Sequence, residues 1–372
     1  ARVASLLLLP VREVGNSSSA DGDAGPSPPG MGDFARSTQA LHWTFASAEA
    51  LGTLVGGILT AAARAGKTRA ERLEAVRDED LELADGTALE RLSDDDERGF
   101  EALFLSKMKE WCFSAALNDR LPERDNKYAT RLFWTAATLL KRLDVTTSMM
   151  KASPFVMRAV AVFVAGKIEE IPLPRPEYRG VQVDKLAKLA NVHPSAIVEN
   201  EIAFLDGVRF HLVVFHPLRP FEGFVEGLRT AQPGREPLWA AVDQRGRAVL
   251  EDSLFTDACF LFTPTKIALG ALLVGLEDQD QVEGDAPESA VSSEQLVEWA
   301  LPADAGLAVR DVVDAVKPVR DFLRANLHLR KHLPDRIRAG NARAKAWMKR
   351  WVDDNKAWQH ARASNNKRKR SA

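Results

Sequence analysis

The sequence predicts an all-α fold, two tandem five-helix domains flanked by N- and C-terminal helices. Apolar residues recur at i, i+3 and i+4 along most of the chain, and the alternation that marks a half-buried strand is almost absent. Two segments about 110 residues apart open alike, Ser153-Pro154 and Thr263-Pro264, each a hydroxyl N-cap followed by proline at the first helical position. Each then runs apolar on every side, from Ala159 to Gly166 and from Ile267 to Leu276. A helix apolar all round has to be surrounded, so each domain is read as a central helix wrapped by others.

Residues 1–40 are read as a disordered leader, because Asn16 to Gly30 are all small, polar or turn-forming and cannot offset the entropy of ordering. Met31 is an alternative start for the functional protein. Residues 41–99 hold an N-terminal helix, with Ser47 as cap and apolar spacing to about Ala62, and then a charged connector. Asp94 to Glu97 read as a solvated acidic cap on the next helix, since no glycine-bearing calcium-loop pattern surrounds them.

The first domain spans 100–212, with helices over Phe100 to Asn118, Tyr128 to Leu143, Pro154 to Glu170, Val183 to Ala190 and Pro194 to Phe210. The second spans 213–329, with helices near Arg219 to Leu228, Leu238 to Phe262, Pro264 to Leu276, Ser293 to Leu301 and Leu307 to Leu327. Phe210-His211-Leu212 and Leu327-His328-Leu329 end the two series alike. A tryptophan-bearing helix over 330–364 and a basic tail over 365–372 close the chain.

Composition narrows the function. The 372 residues are 45% hydrophobic and 27% charged with a formal net charge of −2, which is globular composition and argues against a general DNA-coating protein. Two cysteines cannot build a disulfide framework or a four-cysteine zinc site, so a reducing, intracellular compartment is expected and both thiols read as small core hydrophobes. No apolar run reaches the length of a membrane helix. There is no phosphate loop, dinucleotide fingerprint, nucleophile elbow or HExxH motif. His328 and His332 lie four apart without a third ligand nearby and read as structural or surface residues. No catalytic residue, cofactor or metal is expected; the residues alone describe a helical interaction protein.

Two charges sit uneasily in that reading. Lys167 follows the apolar run of the first central helix, where it either complements the helix dipole and snorkels to water or serves a partner. Glu201 lies on a stripe with Ile197, Val198, Ile202, Leu205 and Val208, where the period calls for an apolar residue; it is either a groove-edge carboxylate paired internally or a functional one.

Ala165-Gly166-Lys167-Ile168-Glu169-Glu170 resembles the signature of the cyclin family, and Glu201 stands where cyclins carry the glutamate paired with that lysine. Within the family the chain resembles the cyclin H group, through His42-Trp43-Thr44-Phe45, through Phe210-His211-Leu212 with Pro217 to Phe224, and through Thr256-Asp257-Ala258 with Phe262 to Leu269. The resemblance spans about Leu41 to Leu329 and is weak before Phe100 and after Glu277.

It implies that the two domains are cyclin boxes and that the protein is a non-catalytic activator of a cyclin-dependent kinase. Lys167 and Glu201 would hydrogen-bond backbone near the kinase's C-helix while Ile168, Leu205 and Leu212 pack on that helix, turning it so that its glutamate meets the ATP-holding lysine. It further implies a cyclin-dependent kinase 7 type partner, a RING-finger assembly subunit, the CDK-activating kinase and TFIIH, and hence the nucleus, with no direct nucleic acid or membrane. The terminal helices would pack together on the first box.

Phe104 to Met108 corresponds to the substrate-docking patch of cell-cycle cyclins but lacks its arginine, so recruitment through that groove is not carried over. Gly166 replaces the usual Cys or Ser. Lys367 to Arg370 reads either as an import signal or as a solvated tail. The alternatives are a cyclin of the C, K or T kind, and a TFIIB-like factor; the sequence lacks the zinc ribbon that the latter predicts.

Overall fold

The computed structural model describes residues 39, 76–82, 87–114, 117, 127–171, 181–282, 291–301, 308–327, 329–338 and 342–370. Apart from Gln39, which is buried and so departs from the disorder expected of residues 1–40, the expected leader lies outside these residues, as do the helix from Ser47 to Ala62 and His328. Among the described residues the fold is all-α; an isolated bridge between Glu82 and Ala88 is the only β pairing.

Six principal helices come first: α1 (Asp94–Cys112), α2 (Lys127–Thr146), α3 (Pro154–Ile168), α4 (Val183–Ala190), α5 (Pro194–Glu199) and α6 (Glu201–Gly207). Five follow: α7 (Leu218–Ala231), α8 (Glu236–Ser253), α9 (Pro264–Val282), α10 (Ser293–Ala300) and α11 (Val309–Asn326). The chain continues through α12 (Leu329–Arg338) and α13 (Ala342–Arg370). It divides into two compact units, breaking between Leu212 and Val213 and between His328 and Leu329. One unit holds α1 to α6 with α12 and α13; the other holds α7 to α11 and Gln39.

In the first unit α3 is the central helix. Every residue from Met157 to Gly166 is buried, as the all-apolar run requires. Arg158 is the exception in chemistry: burial lowers its pKa to about 9, its Nε has no hydrogen-bond partner, and its guanidinium lies over Phe104, Trp111 and Phe155 at 4.6–4.8 Å. The rings' negative faces hold the charge in place of a carboxylate.

The acidic run forms the first turn of α1 and is a solvated cap only in part, through half-buried Asp94 and exposed Asp95. Ser93 and Asp96 form a capping box, but Asp96 and Glu97 are buried. Glu97 accepts from the Ser148 hydroxyl at 2.5 Å and the Met149 amide at 3.0 Å. Asp96 meets Arg343 of α13. Their partners lie 51 to 247 residues away in sequence, so no local pattern marks them as buried.

α13 is integral to this unit. Trp347 and Trp351 are buried; the Trp347 indole donates to the Glu90 carbonyl at 2.8 Å, and Trp351 meets the Phe100 ring edge-on at 4.9 Å. Further along, the Asn355 and Gln359 amides donate to the Asn191 carbonyl at 2.6 and 3.0 Å.

The expected helix from Pro194 to Phe210 is interrupted at Asn200, which separates α5 from α6 and whose side chain bonds back to the Ala196 carbonyl at 2.8 Å.

The second unit is built around α9, whose Ala268, Leu269, Ala271, Leu272 and Val274 are fully buried. Arg245 of α8 and Arg324 of α11 bind Asp278 at 2.5 and 2.7 Å, and Arg320 binds Glu277 at 3.0 Å, so the end of α9 is tied to both neighbours. α8 ends at Ser253, earlier than the expected Phe262, because hydroxyls capture the backbone there: Ser253 donates to the Leu250 carbonyl and Thr256 to that of Ser253. Gln39 exchanges hydrogen bonds with Phe215 just ahead of α7, its amide oxygen accepting from the Phe215 amide at 2.7 Å.

Candidate functional site

Lys167 and Glu201, 34 residues apart, form an ion pair at 2.5 Å. Lys167 is placed by the end of α3, where the helix closes in a Schellman motif: the Ile171 amide donates to Gly166 O at 3.2 Å and the Glu170 amide to Lys167 O at 3.2 Å. That motif needs a left-handed residue, and Glu170 takes it at φ 48° where glycine is usual. The preceding Glu169 is turned inward and holds α3 to α2, accepting from Arg131 Nε at 2.8 Å and Thr135 Oγ1 at 2.5 Å. The Lys167 ammonium rests over the Phe163 ring at 4.2 Å. Glu201 is placed by the break at Asn200, which starts α6 with its carboxylate facing the lysine.

Gly166 lies under this helix end. A Cβ there would sit 2.5 Å from Val181 Cγ2 and 3.0 Å from the Val181 backbone nitrogen, so any side chain would force Val181 to shift.

Around the ion pair the apolar residues separate into two sets. Ile197, Phe204 and Val208 are fully buried and anchor α5 and α6 to the core. Val198, Ile202 and Phe210 are exposed, at 52%, 67% and 58%, figures that exceed what a monomer's core-facing stripe would leave in water. Ile168, Leu205 and Leu212 are half-buried. Val198 and Ile202 lie four apart on the turn that carries Glu201; sequence reading assigned them to a core stripe, and the doubled apolar pairs Ile197-Val198 and Phe204-Leu205 are the signal that α5 and α6 have two apolar faces. Phe113 and Val213 complete the exposed large apolar residues among those described.

No other constellation competes. Among the described residues no group of three or more His, Cys, Asp or Glu side chains could hold a metal ion. No helix among them is long and apolar enough to cross a membrane. Phe104, Leu105 and Met108 are buried, with Trp351 of α13 6.1 Å from the Phe104 ring, while Lys107 stays exposed. Cys112 is buried as expected, and burial raises its thiol pKa; Cys259 is half-buried.

A family model of the cyclin C-terminal domain matches residues 216–284, in the second unit. Cyclin-H of Xenopus laevis is 32% identical over 142 residues, 37% of this chain and 42% of that protein. Cyclin-H1-1 of Arabidopsis thaliana is 28% identical over 189 residues, 50% of this chain and 51% of that protein. The chain thus spans about half the length of these curated relatives or less. Among solved structures, the CAK complex of Chaetomium thermophilum bound to ATP-γ-S contains a chain with TM-score 0.59 and 24% identity, covering 86% of this chain and 88% of that one, a likeness of fold. With Lys167 and Glu201 paired and cyclin-H proteins among the curated relatives it matches, the chain is similar to cyclins and, within them, to the cyclin-H group.

Proposed function

We propose that this chain is a regulatory cyclin that binds and activates a cyclin-dependent kinase 7 type subunit, and that Lys167, Ile168, Glu201, Leu205 and Leu212 belong to its kinase-docking face. The reading rests above all on one observation: an exposed ion pair whose Glu201 lies between exposed Val198 and Ile202 in sequence, with exposed Phe210 shortly after α6. Each such apolar side chain, once buried in an interface, contributes about 1.5–3 kcal/mol, whereas an exposed ion pair contributes about 0–1 kcal/mol. The apolar stripe therefore supplies affinity. The ion pair supplies register: Lys167 uses one of its three N–H donors on Glu201 and can offer others to backbone carbonyls of a kinase helix.

Such a partner is activated without a catalytic group from the cyclin. The cyclin binds the kinase conformer whose helix glutamate reaches the ATP-holding lysine better than the inactive one, and the equilibrium shifts by that difference in affinity. The relatives matched include cyclin-H proteins, and one of the solved structures alike in fold is a CAK complex. By that similarity we assign a RING-finger assembly subunit and TFIIH as further partners, the nucleus as the site of action, and cell-cycle control and RNA polymerase II transcription as the processes served. The test is kinase activity on an RNA polymerase II tail peptide, measured for the purified kinase subunit alone and with this protein. Activation by more than tenfold is expected, and equal activity with and without the chain contradicts the proposal.

A further inference from the structure

The end of α6 holds an unusual backbone. Arg209 and Phe210, neither of them glycine, take left-handed angles in succession, φ 59° and 57°. Side-chain-bearing L residues avoid that region, and a turn of this kind persists where its surroundings over-determine it. Part of the hold is local: the Arg209 amide donates to Asp206 O at 2.9 Å and the Phe210 amide to Leu205 O at 2.8 Å.

The rest comes from one turn of α2. Arg142, fully buried, donates from Nη1 to the His211 carbonyl at 2.6 Å. Thr146 Oγ1 lies 2.9 Å from the Gly207 carbonyl and 2.9 Å from the Leu143 carbonyl, which share its one hydrogen. The His211 and Gly207 carbonyls flank the strained pair on either side. Between them Leu143 occupies the space a Cβ at Gly207 would need, so α2 lies directly against the turn. The turn presents Phe210 to solvent and leads into Leu212 two residues later, both on the face described above.

We infer that Arg142 and Thr146 are positioning residues for partner docking. Arg142 is wholly enclosed and acts through the turn it holds. A lysine at this position carries a charge but lacks the planar fork that fixes the donor's direction, so Arg142→Lys restores only part of the effect. The inference rests on the reading of this face as the kinase-docking face.

Lys141 supplies the control. It is the neighbouring residue on α2, equally buried, and pairs with Glu101 away from the turn. The full chain is prepared as wild type, Arg142→Met, Arg142→Lys, Thr146→Val and Lys141→Met, and each is titrated into the kinase subunit well below its melting temperature. Amide hydrogen exchange is read at Gly207 to Leu212 in the same proteins. Losing a buried hydrogen bond that orders the turn raises the half-activating concentration about tenfold for Arg142→Met, with faster exchange across the turn. Arg142→Lys falls between it and wild type. Lys141→Met lowers the melting temperature without either change. Equal effects of Arg142→Met and Lys141→Met, or unchanged exchange at the turn in Arg142→Met, overturn the positioning role. A wild type that fails to activate the kinase overturns the docking reading instead, while the exchange data still decide whether Arg142 holds the turn.

Discussion

Arg343 of α13 and Asp96 at the start of α1 are joined by a hydrogen bond from Nε at 2.7 Å and an ion-pair contact from Nη2 at 2.6 Å, across 247 residues of sequence. Asp96 is buried, so this pair closes the first unit by bringing its last helix onto its first. About two turns further along α13, Trp351 packs edge-on against the rings of Phe100 and Phe104.

Replacing Trp351 by alanine is therefore expected to cost about 3–5 kcal/mol of unfolding free energy. Arg343→Met leaves Asp96 buried without its cation and is expected to cost about 3 kcal/mol or more. Chemical denaturation of the full chain checks both. A loss below about 1 kcal/mol for Trp351→Ala would mean that α13 is dispensable to the unit.

Gly166→Ala is expected to destabilise by about 1–3 kcal/mol, because the added methyl meets the Val181 side chain and backbone together. It should also weaken partner binding, since Lys167 is the next residue and shares that helix end. Denaturation and a binding titration read the two effects separately. Unchanged values in both would show that Val181 moves aside at no cost.

Cys112 gives a pH test. Burial raises its folded-state pKa well above the ordinary thiol range, so the unfolded chain loses this proton first as pH rises. A raised acid pKa contributes stability that is complete below pH 9 and is lost progressively above it. Relative to Cys112→Ala, the wild type is expected to lose stability between pH 8 and about pH 10. Alkylation at pH 8 should modify half-buried Cys259 first and Cys112 only on unfolding. Prompt labelling of Cys112 in the native chain contradicts its assigned burial.

Much of this was legible in the sequence, and the reasons are local. Ser153-Pro154 and Thr263-Pro264 mark their helix starts because proline suits the first helical position; the Thr263 hydroxyl accepts from the Lys266 amide at 3.4 Å as expected, whereas the Ser153 hydroxyl makes no capping bond, and the apolar runs that follow admit only a buried position. Lys167 and Glu201 stood out because charge interrupts a pattern, and they pair directly. What escaped depends on distant partners or on unusual conformations. Asp96 and Glu97 look solvated until Arg343, Ser148 and Met149 arrive. The helix ends at Glu170 and Arg209 lack the glycine that advertises a left-handed cap. The exposed Val198 and Ile202 share a stripe with buried Ile197, and periodicity alone does not separate a core face from a docking face one residue round the helix.

The central claim is that Lys167 and Glu201 serve a partner and not the fold. An exposed pair of this kind contributes about 0–1 kcal/mol to stability, whereas removing one member of a hydrogen-bonded charge pair buried in an interface costs about 2–5 kcal/mol of binding. The most direct measurement is the dissociation constant of the complex with the cyclin-dependent kinase 7 type subunit for wild type, Lys167→Ala and Glu201→Ala, with the melting temperature of each free chain alongside. The account predicts melting temperatures within a few degrees of wild type and binding weaker by about thirtyfold or more in both variants. Variants that bind as tightly as wild type, or that weaken binding only in step with lost folding stability, would contradict it.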